Sequence, residues 1–302
     1  MMSARFLTVV LERAFNMRDG FGREIDYMRI SVIDSCNLNC YYCNPCDNNE
    51  HCHALNILSV KEVLCIVRAA TRLGIKHFRL TGGEPLLHPQ LDEMVLQIKK
   101  IPGVSSVSLT TNAVLLVQHA KWLKEAGIDS INVSLDTIDA SEYERITKKP
   151  LLEEVKHGIN AAIECGIRVK INVVLTPQTD VVALTRYVAK KGTDIRFIEM
   201  MPVGEGHTNG VEPYKKVIGT LSKLYGEPCR INTEKTKEIN SENDKRKIPD
   251  NGPAEYYIFP ELGIRVGLIQ AIHGKFCDTC NRIRVTADGR LMPCLGSSVT
   301  MD

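Results

Sequence analysis

From about residue 28 to residue 199 the chain alternates between two patterns. Short runs rich in β-branched and other apolar residues, at 28–33, 77–80, 105–110, 130–135, 168–175 and 194–200, have the length and composition of strands. Between them, stretches at 59–73, 89–100, 115–126, 152–165 and 180–191 repeat apolar residues three and four apart, as one face of a helix does. Gly74, Gly127, Gly166 and Gly192 each close a helical stretch and precede a strand. Strand–helix repetition of this kind builds a parallel sheet with right-handed crossovers. Six units are too few for a closed eightfold barrel, so the predicted fold class is α/β: an open, partial (βα)6 TIM-like barrel spanning residues 1–202.

After about Pro202 the pattern changes. A loop begins near Gly204, residues 212–225 read as helix, and 233–250 is a charged, weakly apolar stretch expected to be a solvated surface loop. Residues 255–259 with 263–269, and 282–286 with 290–293 around Asp288-Gly289, read as hairpins. Residues 203–302 are therefore expected to form a small β-rich C-terminal domain capping the open side of the barrel. Parallel strands of this kind present chemistry at their C-terminal ends. There the chain places Cys36, Gly82-Gly83-Glu84-Pro85, Thr111-Asn112, Asp136 and Met200-Met201.

Composition narrows the function classes. Of 302 residues, 44% are hydrophobic and 25% charged, which is ordinary for a globular chain with a real core. The net charge of +2 gives no global case for nucleic acid or membrane binding. No run approaches about 18 apolar residues, and the start lacks a cleavable signal pattern, so a cytoplasmic protein is expected. Eleven cysteines without a secretion signal point to metal or redox chemistry rather than disulfides. Cys65 and Cys165, in apolar helical patterns, are expected to be buried small hydrophobes. Cys46 and Cys52, in a polar loop, read as spare thiols, alternative ligands or residues without a role, the last being the expectation, and Cys229 is not assigned one.

The other six cysteines form two triplets: Cys36-x3-Cys40-x2-Cys43 directly after the first strand, and Cys277-x2-Cys280 with Cys294 around the last hairpin. Each supplies three thiolates where an iron–sulfur cube takes four ligands, leaving one iron open to a substrate. Zinc is the competing reading, although zinc sites usually pair two C-x2-C knuckles. Tyr42 offers an aromatic face to an adenine ring. Arg282 and Arg284 alternate along a strand and share one face, as a bidentate polyanion clamp would require. Two solvent-facing arginines on an edge strand are the plainer alternative.

The first triplet, with Tyr42 and the Gly82-Gly83-Glu84-Pro85 run one βα unit later, resembles the radical S-adenosylmethionine superfamily. The segment from Phe276 to Leu295 resembles the GTP 3′,8-cyclase family of molybdenum cofactor synthesis. So do Phe21-Gly22-Arg23, Leu109-Thr110-Thr111-Asn112 and Ile195-Arg196-Phe197-Ile198-Glu199, and the resemblance runs from about residue 18 to 296. It implies a lyase with two [4Fe-4S] clusters, on Cys36, Cys40 and Cys43 and on Cys277, Cys280 and Cys294. S-Adenosylmethionine is the cofactor, with Tyr42, Gly82, Gly83, Glu84, Ser134 and Met201 around it. The Gly-Gly pair is expected to let backbone approach the methionine moiety, and backbone groups or Glu84 to meet its ammonium.

GTP is the implied substrate, met by Arg29, Arg79, Thr110, Lys170, Arg196, Arg282 and Arg284, with guanine on the open iron of the second cluster. A deoxyadenosyl radical takes the ribose 3′ hydrogen, and the resulting carbon radical attacks C8; no residue acts as acid or base. A reductant and a downstream pterin-forming enzyme are the implied partners, and a homodimer is compatible with the pattern. Of three departures from the family, the first two bear on the substrate and the third reads as local variation. The chain ends at Asp302 without the family's Gly-Gly tail, His77 stands where a lysine is usual, and Asn44-Pro45-Cys46 and Asn112-Ala113 replace Met-Pro and Asn-Gly. The alternatives are a paralogue acting on another nucleotide or a peptide, with the C-terminal cluster in electron transfer, and a zinc-stapled binding protein.

Overall fold

A computed structural model describes residues 17–43, 56–202, 210–231, 252–297 and 299–301. The stretch 233–250 and the residues Cys46 and Cys52 lie outside the described residues. Six parallel strands stand side by side in chain order: β1 (Tyr27–Ser31), β2 (His77–Thr81), β3 (Ser106–Thr111), β4 (Ser130–Ser134), β5 (Val169–Leu175) and β6 (Asp194–Glu199). The connecting helices are α1 (Val60–Arg72), α2 (Leu91–Lys99), α3 (Leu116–Glu125), α4 (Ala140–Thr147), α5 (Leu152–Glu164) and α6 (Val181–Lys190).

Alternation along the strands divides two environments. Met28, Ile30, Phe78, Leu80, Val107, Leu109, Ile131, Val133, Ile171, Val173, Ile195 and Phe197 are buried in one apolar cluster with Val63, Val67, Met94, Leu123, Ile159, Leu184 and Val188 of the helices. The intervening strand positions face the barrel interior. There β1 carries Tyr27 and Arg29, β2 His77 and Arg79, β3 Ser106 and Ser108, and β4 Ser130 and Asn132. TIM barrels usually fill this space with branched apolar side chains; here it is polar.

Helix starts follow local chemistry. Ser59 and Glu62 form a reciprocal capping box at α1. Helix α4 is not predicted by apolar periodicity: it is short, buries only Tyr143, Ile146 and Thr147, and ends on Lys148 in the left-handed region instead of a glycine. Its signal is the cap: Asp139 accepts from the Glu142 amide at 2.8 Å.

The expected C-terminal helix is a π-helical turn (Tyr214–Ile218) running into α7 (Gly219–Tyr225). Both expected hairpins form. β8 (Glu255–Ile258) pairs antiparallel with β9 (Arg265–Ile269) and with β7 (Cys229–Ile231), and β10 (Arg282–Val285) with β11 (Leu291–Met292). Their inner strands extend the parallel sheet on its two sides: β9 runs parallel to β6, and β10 parallel to β1. Among the described residues eight parallel strands result, in the order β10-β1-β2-β3-β4-β5-β6-β9, and the two outer ones do not pair with each other. Among the described residues no helix is long and apolar enough to cross a membrane.

Cys65 corrects an expectation: it is exposed. The buried stripe of α1 is Val63, Val67 and Ala70, and Cys65, two residues from Val63, turns to the other side of the helix. Cys165 is half-buried behind α5.

Phe197 is fully buried in β6, within the shared apolar cluster. Phe197→Ala is expected to cost about 3–5 kcal/mol of folding stability, read as a lower midpoint in urea unfolding.

Candidate functional site

The interior side chains converge on a cavity of about 530 Å³ lined from all six core strands and from the C-terminal segment. Among the described residues that line it, seven carry guanidinium or ammonium groups: Arg29, Arg79, Arg168, Lys170, Arg196, Arg282 and Arg284. Asp129 is the sole carboxylate among the described residues lining it, and it already binds Lys99 at 2.9 Å and the Val107 amide at 2.7 Å.

Strand register sets the charges side by side. Arg29 stands opposite Arg79 on one flank and Arg284 on the other. Burial, then Arg284 and Arg79, hold the Arg29 guanidinium well below its usual pKa, and its Nε is buried without a hydrogen-bond partner. Arg282 and Arg284 are likewise lowered, by burial first. Tyr27 moderates the crowding. Arg79 Nε donates to its hydroxyl at 2.5 Å, and the Arg79 and Arg282 guanidinium carbons each lie 5.7 Å from its ring centroid. Burial alone would raise the Tyr27 phenol; Arg79 and Arg29 bring it below its usual pKa. Arg196 Nε donates to Asn172 at 2.9 Å. Opposite Arg196 stands Gly267, where a Cβ would come within 2.8 Å of Arg196 Cγ, so the glycine makes room for that side chain.

The first triplet lies in the loop after β1, at the C-terminal mouth. Asn112 Nδ2 reaches Cys36 Sγ at 3.8 Å and Asn37 Oδ1 at 2.7 Å. Burial raises all three thiols, Cys40 to about 12 with Asp136, Cys43 and Cys36 adding to it. Thiols whose ionisation is disfavoured by burial and by neighbouring negative groups suit a cationic iron core, which offsets that charge. Among the described residues no three Cys, His, Asp or Glu side chains already stand in metal-ligand geometry.

The neighbouring residues shape this loop. A Cβ on Gly82 would lie 2.2 Å from the Ile33 carbonyl oxygen, and one on Gly83 2.1 Å from that of Ser35. The Gly83 and Glu84 amides donate to these carbonyls, each at 2.8 Å. The pair thus admits the root of the cysteine loop; its close approach is to the protein's own backbone. Glu84 is 1% exposed and turns behind the loop, accepting from Leu86 N, Thr111 Oγ1 and Asn112 N at 2.7–3.0 Å. Its carboxylate therefore faces the end of β3. Ala113, next in line, takes φ 65°, the left-handed conformation that a glycine adopts more easily. Tyr42 donates its hydroxyl to Asp136, whose other oxygen accepts from Val174 N at 2.7 Å; burial pushes Asp136 up to about 6.

The second triplet lies at the opposite mouth. Cys280 precedes β10 and Cys294 follows the antiparallel β11, so both stand near the N-terminal ends of the parallel strands. A five-residue strand such as β1 separates the mouths by ~17 Å. Cys294 and Cys280 both act on the charge of Arg284, and Cys280 and Cys277 on that of Arg23. With Arg282, on which Cys280 also acts, three guanidiniums flank the three thiols, which suits an anionic iron–sulfur unit. Phe276 and Leu295, each beside a cysteine of this triplet, line the cavity.

Of the expected substrate residues, Arg29, Arg79, Lys170, Arg196, Arg282 and Arg284 line the cavity. Thr110 is not among the lining residues, and its hydroxyl is buried without a partner. Met201 lines the cavity, while Ser134 is exposed at the end of β4. Tyr27, Asn132, Arg168 and Asn172 join the lining although no site role is expected of them from sequence; the signal that could find them is the period-two recurrence of polar residues within strand-like runs.

Residues 30–184 match the family described as the Radical SAM superfamily, and residues 193–302 match Molybdenum Cofactor Synthesis C. The chain is 37% identical over 282 residues to a GTP 3′,8-cyclase of Clostridium perfringens (strain SM101 / Type A), covering 92% of this chain and 83% of that protein. It is 38% identical over 283 residues to one of Pelotomaculum thermopropionicum, with 92% and 84% covered. Among solved structures it is similar in fold to Streptococcus suis SuiB bound to S-adenosylmethionine (TM-score 0.64, 16% identity), covering 92% of this chain and 63% of that one. It is also similar to native anSMEcpe with bound AdoMet (TM-score 0.61, 18% identity; 90% and 75% covered).

Gly83→Ala is expected to displace the root of the cysteine loop, at a cost of about 1–3 kcal/mol. Iron content and the unfolding midpoint should fall together; a variant equal to the parent in both would show that the close approach is relaxed at no cost.

Proposed function

The chain belongs to the GTP 3′,8-cyclase family of the radical S-adenosylmethionine superfamily, and from that premise we propose that it converts GTP to 3′,8-cyclo-7,8-dihydro-GTP, as a lyase of molybdenum cofactor synthesis. The observation that carries this reading is the basic cavity between the two triplets. Among the described residues, seven cationic side chains face a space with one, already engaged, carboxylate. A polyanion satisfies such a lining, and a nucleoside triphosphate supplies one at a length that suits the distance between the mouths.

The residues then divide the work. Arg29, Arg79, Lys170, Arg196, Arg282 and Arg284 hold the triphosphate and neutralise one another's repulsion through it. Phe276 and Leu295 offer an apolar wall to the base beside Cys277, Cys280 and Cys294, which hold the second [4Fe-4S] cluster. Cys36, Cys40 and Cys43 hold the first, with Tyr42, Gly82, Gly83, Ser134 and Met201 around S-adenosylmethionine and Glu84 as a positioning residue behind them. When bound, the first cluster and S-adenosylmethionine supply reductive cleavage and with it the deoxyadenosyl radical that takes the ribose 3′ hydrogen. The barrel walls keep water from the reacting sugar, and the arginines hold its phosphates still during the attack on C8. The reaction draws electrons from an external reductant, and its product passes to a pterin-forming enzyme. We place it in the cytoplasm, where reduced cysteine clusters persist. The division at about residue 202 separates the first triplet, on the barrel, from the second, on the C-terminal domain, while the substrate residues come from both; a homodimer is compatible with this arrangement.

Anaerobically reconstituted protein given S-adenosylmethionine, dithionite and GTP is expected to consume GTP and release the cyclised nucleotide with 5′-deoxyadenosine. Deoxyadenosine without any GTP-derived product would refute the substrate assignment. Arg282→Ala and Arg284→Ala are each expected to weaken GTP binding by roughly 10–100-fold, the size of a lost charge-assisted hydrogen bond. Uncoupled S-adenosylmethionine cleavage should change little; titration calorimetry and a deoxyadenosine assay read the two effects separately.

A further inference from the structure

The segment between β9 and β10, residues 270–281, connects the two outermost strands of the parallel sheet. Because β9 ends at the C-terminal mouth and β10 starts at the N-terminal one, the segment runs from top to bottom along the open side of the barrel. It carries Phe276, which lines the cavity, and Cys277 and Cys280. It belongs to no strand ladder, and side chains set its place.

Two groups of contacts do so. At the upper end Glu199, 3% exposed at the end of β6, accepts from the Ile272 amide at 2.7 Å and the His273 amide at 3.1 Å. Its other oxygen meets His273 Nδ1. A buried carboxylate is costly unless hydrogen-bonded, and these three bonds all go to one loop. At the lower end Arg23 Nη1 donates to the Cys277 carbonyl at 2.7 Å. Arg23 is itself braced. Asp19 Oδ2 accepts from its Nε at 2.6 Å, and Asp19 Oδ1 accepts from the Phe21 and Arg23 amides at 2.9 and 3.0 Å. Gly22, at φ +76°, closes that turn. Asn281 completes the lower attachment. Its Nδ2 donates to Asp26 at 2.6 Å, and its carbonyl accepts from the Tyr27 amide at 3.2 Å.

We propose that Glu199 and Arg23 are positioning residues that suspend residues 270–281 between β6 and the turn before β1, and so set where Cys277 and Cys280 stand relative to Cys294. Neither touches substrate; both act through the backbone of the segment. Arg23 also brings a fixed positive charge to the thiolates of Cys277 and Cys280, which favours the more negative, reduced form of whatever iron–sulfur unit they hold. The inference rests on the second triplet binding iron, as proposed above.

The test isolates that triplet. In protein carrying C36A, C40A and C43A, reconstituted iron reports on Cys277, Cys280 and Cys294 alone. Glu199→Ala and Arg23→Ala are each expected to reduce the iron retained after gel filtration at least twofold. Glu199→Gln, which keeps an amide acceptor, and Arg23→Lys, which keeps the charge and a donor, are expected to recover most of it. The iron–sulfur unit remaining in Arg23→Ala should have a more negative midpoint potential than in Arg23→Lys. In the converse background, C277A with C280A and C294A, the same substitutions should leave iron at the first triplet unchanged. Equal iron loss in both backgrounds, or none in either, overturns the proposal.

If the first background binds no iron at all, the second-cluster reading fails instead. Hydrogen exchange of the metal-free protein then judges the suspension by itself. Glu199→Ala should speed exchange at the Ile272 and His273 amides at least tenfold while leaving the core of β6 protected. Unchanged rates at those two amides overturn it.

Discussion

Positive charge enclosed within an apolar shell is the constraint around which this molecule is built. Two guanidiniums about 6 Å apart repel by roughly 3 kcal/mol at an effective dielectric of about 20, before the cost of desolvating each. Arg29, with Arg79 and Arg284 in register beside it, meets that repulsion from both sides. The outer layer compensates. Phe78, Phe197, Leu80, Leu109 and their partners on the helices bury enough apolar surface to hold the strands in place whatever their inner faces carry. Tyr27, Asn172 and Gly267 then take up part of the inner strain with a hydroxyl and a ring, an amide oxygen, and the omission of a side chain. An anion is the natural completion of such an interior.

The two triplets occupy opposite mouths of that interior because of strand direction alone. A loop following a parallel strand opens at the C-terminal end, while a loop preceding one opens at the N-terminal end. The first triplet follows β1 and the second straddles β10 and β11. Close backbone packing holds the first in place, through Gly82 and Gly83 against Ile33 and Ser35. The second depends on side chains reaching across long sequence separations, from Arg23 to Cys277 and from Glu199 to Ile272 and His273.

Much of this architecture is legible in the amino-acid sequence. The strand and helix runs match the observed elements to within a residue or two at most ends, because period two and period 3.6 are both strongly expressed. Helix α4 escapes that pattern because its apolar stripe is short and its only start signal is Asp139. Cys65 departs from expectation because an apolar neighbourhood in sequence does not say which side of a helix a residue takes. Gly82 and Gly83 do mark a close approach, but the partner is Ile33 and Ser35, some fifty residues away along the chain. Glu84 looks like a ligand residue by its place in a motif, yet its carboxylate serves the end of β3.

Spacing and alternation along the chain settle the βα repeat, the two three-cysteine sets and the single face shared by Arg282 and Arg284. These depend on bonded geometry, which places residues i and i+2 of a strand on the same side in any fold. Which distant residues meet is a matter of tertiary packing. It brings β9 and β10 to opposite sides of one sheet, sets Arg29 between Arg79 and Arg284, and turns Glu199 toward His273. Such contacts arise from packing the whole chain around one core, and no local pattern encodes them.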